Sequence, residues 1–366
     1  MPLLTRTVFT PLTIEISAGA IQRLGGLLAD GRISAGGKVA VVLGPGMSAE
    51  LSGTVASALP SAELLTIAAG TFDAANALAE RLRGHPYDAV VGIGGGKVID
   101  TVKYAATLQG MPMVAVATSL AHDGVASPVS TLDRHGAPTS YGVHVPIAVV
   151  VDLTLVAHSP LGQLQSGIGE ALSNLSACAD WELSHRYTGE PLDGLALALA
   201  RSGGQAVLNH PGEAVEEDFV ATLAEALVLG GIAMAVAGSS RPCSGACHEI
   251  THALGGMYPW AASHGLGAGL GALFATYLRA RYSSDGGPDD APDNGHITTF
   301  TRLGDVFARH GLPRVPADIG LTSEQFAAVV EHAPATRPGR YTILEHLDLD
   351  TAAIRKTVEE YVDAIG

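Results

Sequence analysis

The sequence predicts an α/β fold, with a Rossmann-like parallel-sheet domain over residues 1–160 and an all-helical domain over residues 161–366. In the first part, short and almost continuously apolar runs alternate with helical stretches, which is typical of buried parallel strands joined by helices. In the second part, Ala- and Leu-rich segments of helical length dominate, and β-like runs nearly disappear. A length of 366 residues also fits about two domains.

Each element follows from a local pattern. The central strands are predicted at 38–44, 62–69, 88–94, 112–118 and 146–152. Residues 8–17 add a strand, and residues 129–144 predict a hairpin that turns at 134–136. Helices are predicted at 165–185, 190–208, 217–238, 245–256, 264–282, 296–310, 323–333 and 350–364. The stretch 283–296, rich in Gly, Pro and Asp, predicts an exposed loop.

Composition narrows the class of protein. Hydrophobic residues make up 47% of the chain and charged residues 16%, so a large core can form, while a net charge of −15 argues against a general nucleic-acid binder. The first ten residues lack the pattern of a secretory signal, and Gly, His or Asp interrupts each apolar run before about 18 residues. We therefore expect a cytoplasmic protein with no nucleic-acid or membrane partner. We separately expect it to act on a small molecule and to form a homo-oligomer.

A glycine-rich loop is the first candidate binding feature. The stretch "VVGIGGGKVIDTVKYAA" (90–106) places a strand, three glycines and an amphipathic helix in succession. Glycines let the backbone approach a ligand, and the start of the helix offers free N–H groups that suit a pyrophosphate; the alternative is an ordinary tight turn. The strand at 38–44 is followed by no carboxylate, so the choice between NAD and NADP stays open.

The stretch "HDGVASP" (122–128) follows the next strand. An Asp-Gly pair alone usually marks a turn. This strand ends at the same sheet edge as the glycine loop, so we expect the residues of this stretch, Asp123 among them, to point into a cleft where the two domains meet.

Three histidines and one acid predict a metal site. His248 and His252 are spaced i, i+4 on one helix, and His264 begins the next helix. Glu170 lies in an otherwise apolar helix start, where a buried carboxylate requires a partner. Each residue alone is also compatible with a cap or a core position. Together, one carboxylate and two imidazoles suit a divalent ion with a position left open for a substrate oxygen.

These motifs, in this order, resemble the sn-glycerol-1-phosphate dehydrogenases, within the superfamily of iron-containing alcohol dehydrogenases, glycerol dehydrogenases and 3-dehydroquinate synthases. The resemblance runs from about residue 10 to 364 and also includes "TSLAHDGVASPVSTL", "SGIGEALSNLSACADWEL", "SSRPCSGACHEITHAL" and "RPGRYTILEHL". It implies an N-terminal Rossmann-like domain, a C-terminal helical domain, NAD or NADP as cofactor, and zinc or another divalent metal.

The resemblance also implies residue roles. The dinucleotide would contact Gly94, Gly95, Gly96, Lys97, Asp100, Thr118, Ser119 and Ser127. The metal would be bound by Glu170, His248 and His264, and Asp123 would orient a substrate hydroxyl. The chain departs from the family pattern at two places beside that metal: the family commonly has Asp at the position of Glu170, and often an acidic residue at the position of Cys247.

The implied reaction is the reduction of dihydroxyacetone phosphate by hydride transfer. The metal stabilises the developing alkoxide, water or His252 supplies the proton, and Arg241 is the candidate phosphate contact. Three alternatives remain: a dehydrogenase of another polyol or cyclitol, a dehydroquinate synthase-like cyclase, and a non-catalytic nucleotide-binding module. The low content of 21 Lys and Arg disfavours the cyclase, whose substrate needs more cations.

Overall fold

Six parallel strands form the sheet that the sequence predicts. The structure, a computed structural model, describes residues 7–68, 70–282 and 294–365. The strand order is β1-β8-β5-β4-β2-β3, with every neighbouring pair parallel. The strands are β1 (Thr13–Ser17), β2 (Lys38–Leu43), β3 (Glu63–Thr66), β4 (Tyr87–Gly94), β5 (Met113–Ala117) and β8 (Ala148–Asp152). The predicted α/β class is confirmed.

The sheet is central because its strands are apolar on both faces. All residues of β5 and β8 are buried, as expected when helices cover both sides of a parallel sheet. Side chains of β2, β4, β5 and β8 share one core cluster with the residues that follow β1, and this cluster includes Val41, Val91, Val114 and Val150. The carboxyl ends of β4 and β5 lie side by side, since Gly94 pairs with Ala117.

The predicted hairpin consists of β6 (Val129–Arg134) and β7 (Ala137–Gly142), which pair antiparallel. His135 and Gly136 form the turn with φ values of 58° and 81°. Positive φ at both residues of a two-residue loop matches the twist of the strands that it joins. The turn therefore lies where the sequence predicts it.

Helices account for most of the remaining chain. The first five are α1 (Leu24–Leu28), α2 (Pro45–Ala58), α3 (Phe72–Arg83), α4 (Gly96–Gln109) and α5 (Leu153–Ala157). The others are α6 (Leu161–Thr188), α7 (Gly194–Asn209), α8 (Glu217–Ala237), α9 (Ala246–Met257), α10 (His264–Tyr282), α11 (Asn294–His310), α12 (Ser323–His332), α13 (Ile343–Leu347) and α14 (Thr351–Ile365). The predicted loop at 283–296 lies outside the described residues except for its last three, which begin α11.

The chain forms two compact units. One comprises Met1–Gln163 with Leu227–Val236, and the other comprises Leu164–Ala226 with Ala237–Gly366. The sheet belongs to the first unit, and the second is helical. The second half of α8 groups with the first unit, where a side chain on Gly231 would lie 2.7 Å from the backbone of Ala126.

Helix α8 differs from the expectation that every apolar run is too short to cross a membrane. By length and composition alone, Glu217–Ala237 qualifies as a possible spanning helix. Two-thirds of its most apolar window is buried inside the protein, as in the core helix of many folded proteins. It is the one such helix among the described residues.

A buried histidine predicts acid-sensitive stability. His310 packs on Phe219 with ring centroids 4.6 Å apart, and burial, aided by the charge of Arg309, lowers its pKa from 6.5 to about 4. The folded state therefore binds this proton less well than the unfolded chain. Stability from this group is full above pH 6.5 and is lost as the pH falls towards 4.

We expect His310→Phe to remove this loss. Urea unfolding at pH 5 and at pH 7.5 gives the loss of unfolding free energy on acidification. This loss should be smaller in the variant than in the wild type by roughly 1–2 kcal/mol. Substitution of the exposed His332 by Phe is the control and should keep the wild-type difference. An unchanged pH difference in His310→Phe would contradict the assignment.

Candidate active site

The glycine loop connects β4 directly to α4. Gly95 is the N-cap of α4 in an extended conformation, and its residue type offers no capping side chain for the first-turn N–H groups. A side chain on Gly95 would lie 2.9 Å from the Ser119 hydroxyl, and one on Gly96 only 2.1 Å from Nε2 of His122. The glycines therefore let the residues after β5 lie against the start of the helix, where an anion is favoured.

A buried lysine on α4 binds the backbone of the segment that follows β5. Nζ of Lys103 donates to the carbonyl oxygens of Gly124 at 2.6 Å and Ser127 at 3.2 Å, and also to that of Val129. It pairs with Asp100 at 3.2 Å. Burial lowers the pKa of Lys103, and the charge of Asp100 opposes that shift. Sequence reasoning missed Lys103, although a lysine inside the otherwise apolar face of α4 is a visible signal.

The predicted dinucleotide residues lie around this loop. Thr118 donates its N–H to the carbonyl oxygen of Gly94 at 3.2 Å, and Ser127 is 1% exposed. Asp100 accepts a hydrogen bond from the Thr131 N–H at 3.1 Å in addition to its pair with Lys103, so its carboxylate supports the hairpin. Lys97 follows in the first turn of α4. Their contacts with a cofactor stay predictions.

Asp123 begins a short 3-10 turn at Asp123–Val125 and is buried. Nδ1 of His122 accepts the N–H of Gly124 at 2.9 Å, which closes that turn. The segment "HDGVASP" thus forms a turn, and it also packs against the glycine loop. The predicted contact of Asp123 with a substrate hydroxyl stays a prediction.

The four residues of the predicted metal site come together in the helical unit, and three of them converge closely. Ligand atoms of Glu170, His248 and His264 lie within 4.8 Å of one another. Nε2 of His248 is 3.7 Å from Oε1 of Glu170, and Nε2 of His264 is 3.7 Å from Oε2. With bonds of about 2.1 Å, tetrahedral ligands lie about 3.4 Å apart, so the donor set fits a divalent ion.

Small residues bring the helices of this set together. A side chain on Gly169 would lie 2.3 Å from the carbonyl oxygen of Gly265, and one on Gly271 would lie 2.7 Å from that of Cys247. These glycines let α10 approach α6 and α9 closely enough for His264 to meet Glu170 and His248. Glu170 and His248 are buried, whereas the His264 side chain is 46% exposed.

Cys247 contacts the other nitrogen of His248. Its sulfur lies 3.3 Å from Nδ1, which leaves Nε2 directed at Glu170. Burial lowers the pKa of His248, opposed by the neighbouring Glu170. The imidazole is therefore available as a neutral ligand, the form that metals bind.

His252 lies beside the set and contacts an arginine. Its ring centroid is 6.4 Å from that of His248 and 6.2 Å from that of His264. Nη2 of Arg337 lies 2.7 Å from Nε2 of His252. Burial and the charge of Arg337 lower the pKa of His252 to about 3.

Two arginines contact the segment 240–244. Nη1 of Arg337 and Nη2 of Arg340 each donate to Oγ of Ser240 at 3.3 Å, and Arg340 also donates to the carbonyl oxygen of Ser244. Burial, with the like charges of Arg337 and Arg241, lowers the pKa of Arg340 to about 10, which leaves it cationic at neutral pH. Sequence reasoning missed Arg337 and Arg340, since they follow the predicted metal histidines by more than 70 residues.

Arg241, the predicted phosphate contact, is already paired. It donates through Nε to Glu190 at 2.8 Å, forms a second contact through Nη2, and donates to the carbonyl oxygen of Tyr341 at 2.9 Å. Its Nη1 is buried without a hydrogen-bond partner among the described residues. Its contact with a phosphate stays a prediction, and the structure adds a role in holding the segment that carries Arg337 and Arg340.

One buried acid joins the elements of the site. Asp180 on α6 is 0% exposed and accepts N–H groups of Ala246 and Ile343, each at 2.8 Å. Arg279 on α10 pairs with the same carboxylate and also donates to Oγ of Ser176 at 3.1 Å. The first contact holds the start of α9, and the second holds the start of α13, just after Arg340.

Comparison with known proteins places the chain in a family. A family model for iron-containing alcohol dehydrogenases matches residues 15–160. A protein of Methanospirillum hungatei JF-1 named glycerol-1-phosphate dehydrogenase [NAD(P)+] is 33% identical over 97% of this chain and 93% of its own length. The chain belongs to this dehydrogenase family. A relative of the same name from Thermofilum pendens strain Hrk 5 is 34% identical over 96% of both chains. The predicted resemblance is confirmed, and the chain is an oxidoreductase of the metal-containing alcohol dehydrogenases.

Solved structures show the same fold. A probable glycerol dehydrogenase from Sinorhizobium meliloti 1021 superposes with a TM-score of 0.73, at 22% identity, over 99% of both chains. Glycerol dehydrogenase from Schizosaccharomyces pombe gives a TM-score of 0.74 at 18% identity, over 99% of this chain and 91% of that one. At these identities the likeness establishes the family's fold.

The donor set predicts selective loss of metal in single variants. In Glu170→Ala and in His264→Ala, the zinc dissociation constant should rise roughly 100-fold or more, because two ligands cannot replace three. Zinc per chain after dialysis and the zinc-induced rise in Tm measure this. The exposed His144→Ala is the control and should match the wild type. Full zinc content in Glu170→Ala would place the metal elsewhere.

The junction at Asp180 predicts a large stability effect. Asp180→Asn removes the charge that compensates buried Arg279 and turns one acceptor into a donor facing an N–H group. We expect a loss of about 3–5 kcal/mol in the free energy of urea unfolding. Asp363→Asn, an exposed change of the same type on α14, should stay within about 0.5 kcal/mol of the wild type. Equal effects at both positions would refute the junction.

Proposed function

We propose that the protein reduces dihydroxyacetone phosphate to sn-glycerol 1-phosphate with NADH or NADPH, using zinc bound by Glu170, His248 and His264. One observation supports the phosphorylated substrate most strongly. Arg337 and Arg340 converge on Ser240, and Arg337 also contacts His252, which neighbours the predicted metal ligands. A cation pair beside a Lewis-acid site suits a small ketone that carries a phosphate.

The arginine pair is charged and poorly compensated. Burial and like-charge repulsion lower the pKa of Arg340, while Glu190 and Glu249 offset that only in part. Burial also lowers the pKa of Arg337. A dianionic phosphate would relieve the repulsion between the two guanidinium groups and would accept a bidentate pair of hydrogen bonds from each of them. The site therefore favours a phosphate over a neutral hydroxymethyl group.

The metal ligands have a different task. Glu170, His248 and His264 would supply three ligands to a divalent ion, so a substrate oxygen would be able to bind the same ion. When bound, the metal stabilises negative charge on that oxygen, and the nicotinamide cofactor supplies the hydride. The first-turn N–H groups of α4 and the glycines at 94–96 are the proposed contacts for the cofactor's pyrophosphate.

His252 acts on Arg337 in this proposal. Its low pKa leaves the ring neutral at neutral pH, and its Nε2 accepts from Arg337. A neutral imidazole so engaged is a poor proton donor. We therefore assign the proton of the reduction to water, one of the two sources that the sequence left open, and assign His252 to orienting the guanidinium.

The test is NADPH or NADH oxidation by the zinc-loaded protein. Dihydroxyacetone phosphate should give a kcat/KM at least about 100-fold above that of unphosphorylated dihydroxyacetone, and the reverse reaction should prefer sn-glycerol 1-phosphate to the 3-phosphate. In Arg340→Ala, KM for dihydroxyacetone phosphate should rise roughly 10- to 100-fold, with a smaller change in kcat.

The exposed Arg355→Ala is the matched control and should leave both constants unchanged. Equal turnover of dihydroxyacetone and its phosphate would contradict the proposed substrate. No oxidation of reduced cofactor with either ketone would contradict the reaction.

A further inference from the structure

Helix α6 presents a stripe of three polar residues, and the side-chain amide of the middle one has no hydrogen-bond partner within the part of the chain that the structure describes. Glu170, Asn174 and Cys178 follow at i, i+4 and i+8, so they lie within about 80° on one side of the helix. Glu170 contacts His248 and His264 at one end of the stripe. At the other end, the sulfur of Cys178 lies 3.5 Å from the carbonyl oxygen of Pro242. Asn174 therefore lies between the metal ligands and the segment 240–244.

The amide of Asn174 is buried and unsatisfied. The residue is 1% exposed, and neither Oδ1 nor Nδ2 has a hydrogen-bond partner among the described residues. Burial of an amide that can donate two hydrogen bonds and accept two is unfavourable unless something polar meets it.

Further unsatisfied polar atoms lie on the segment at the far end of the stripe. Oγ of Ser244 and Nη1 of Arg241 are both buried without hydrogen-bond partners among the described residues. The same segment binds Arg337 and Arg340 through Ser240 and Ser244. Unmet donors and acceptors on neighbouring elements indicate a place where a polar ligand supplies the missing partners.

We propose that Asn174 hydrogen-bonds the free hydroxyl group of the substrate, with Nδ2 donating to the hydroxyl oxygen or Oδ1 accepting its proton. This inference rests on the proposed function, and it assigns to Asn174 the hydroxyl that the sequence predicts as the contact of Asp123. The carbonyl oxygen lies at the metal, the phosphate lies at Arg337 and Arg340, and the hydroxyl is the remaining polar group of dihydroxyacetone phosphate. An amide is both donor and acceptor, as a hydroxyl is, so the two are complementary. Asn174 thereby determines specificity for a hydroxylated ketone.

The test compares two substrates that differ by that hydroxyl. Acetol phosphate has a methyl group where dihydroxyacetone phosphate has a hydroxymethyl group. The wild type should favour dihydroxyacetone phosphate by about 100-fold or more in kcat/KM. In Asn174→Leu, kcat/KM for dihydroxyacetone phosphate should fall about 10- to 100-fold while that for acetol phosphate changes little, so the preference collapses.

Stability measurements separate this role from a structural one. Without ligands, the Tm of Asn174→Leu should equal or exceed that of the wild type, because the change removes an unsatisfied buried amide. The zinc-induced rise in Tm should also be unchanged. Ser130→Ala is the matched control: it removes another buried polar atom without a partner, in β6, and should leave the substrate preference intact.

Three results would overturn the inference. The first is an unchanged preference in Asn174→Leu. The second is a Tm lowered by more than about 5 °C in both Asn174→Leu and Asn174→Ala, which would make the amide structural. The third is a wild type that does not distinguish the two phosphates.

Failure of the proposed function looks different. If the wild type acts on glycerol rather than on the phosphorylated substrate, the substrate proposal is wrong. The test of Asn174 then compares glycerol with propane-1,2-diol, which lacks one hydroxyl of glycerol. Loss of preference within that pair in Asn174→Leu would uphold the role of Asn174, and an unchanged preference would refute it. A wild type inactive on both pairs overturns both proposals.

Discussion

The helical half of the candidate site depends on one buried carboxylate. Asp180 accepts from the first N–H of α9, which carries His248, and from the first N–H of α13, which follows Arg340. Its counter-ion, Arg279, lies on α10, the helix that begins at His264. Asp180 itself lies on α6 with Glu170 and Asn174. Breaking a buried pair of this kind leaves an uncompensated charge, so the four elements are held in a single arrangement. The contacts of Asp180 therefore help to fix the relative positions of the three predicted metal ligands and the arginine pair.

The same region keeps polar groups that the fold alone does not satisfy. Asn174, Ser244 and Arg241 each retain buried atoms without partners among the described residues, and Arg337 and Arg340 bring like charges together around Ser240. Such groups lower the stability of the free protein and are typical of sites where a ligand completes the hydrogen bonding. A metal, a phosphate and a hydroxyl would each meet one part of this unsatisfied set. The contacts of Asp180 thus position the helices around a group of polar side chains whose hydrogen bonding a ligand would complete.

Much of this follows from the sequence because the signals are local. The apolar runs predicted all six strands of the sheet to within a few residues, and Gly136 marked the hairpin turn. The i, i+4 spacing of His248 and His252, and an acid in an apolar helix start, pointed to residues that the structure brings together. Arg337 and Arg340 were missed because only the fold returns the chain to Ser240. Asp180 was missed because no spacing within α6 marks it, and its backbone partners lie 66 and 163 residues away.

A crystal structure of the zinc-loaded protein with dihydroxyacetone phosphate bound tests the central claim most directly. Anomalous scattering at the zinc edge should locate one ion in contact with Glu170, His248 and His264. The phosphate should contact Arg337 and Arg340, and the hydroxyl should contact Asn174. Zinc bound to other residues, or a phosphate that leaves both arginines without contact while the ketone lies at the metal, would contradict the account.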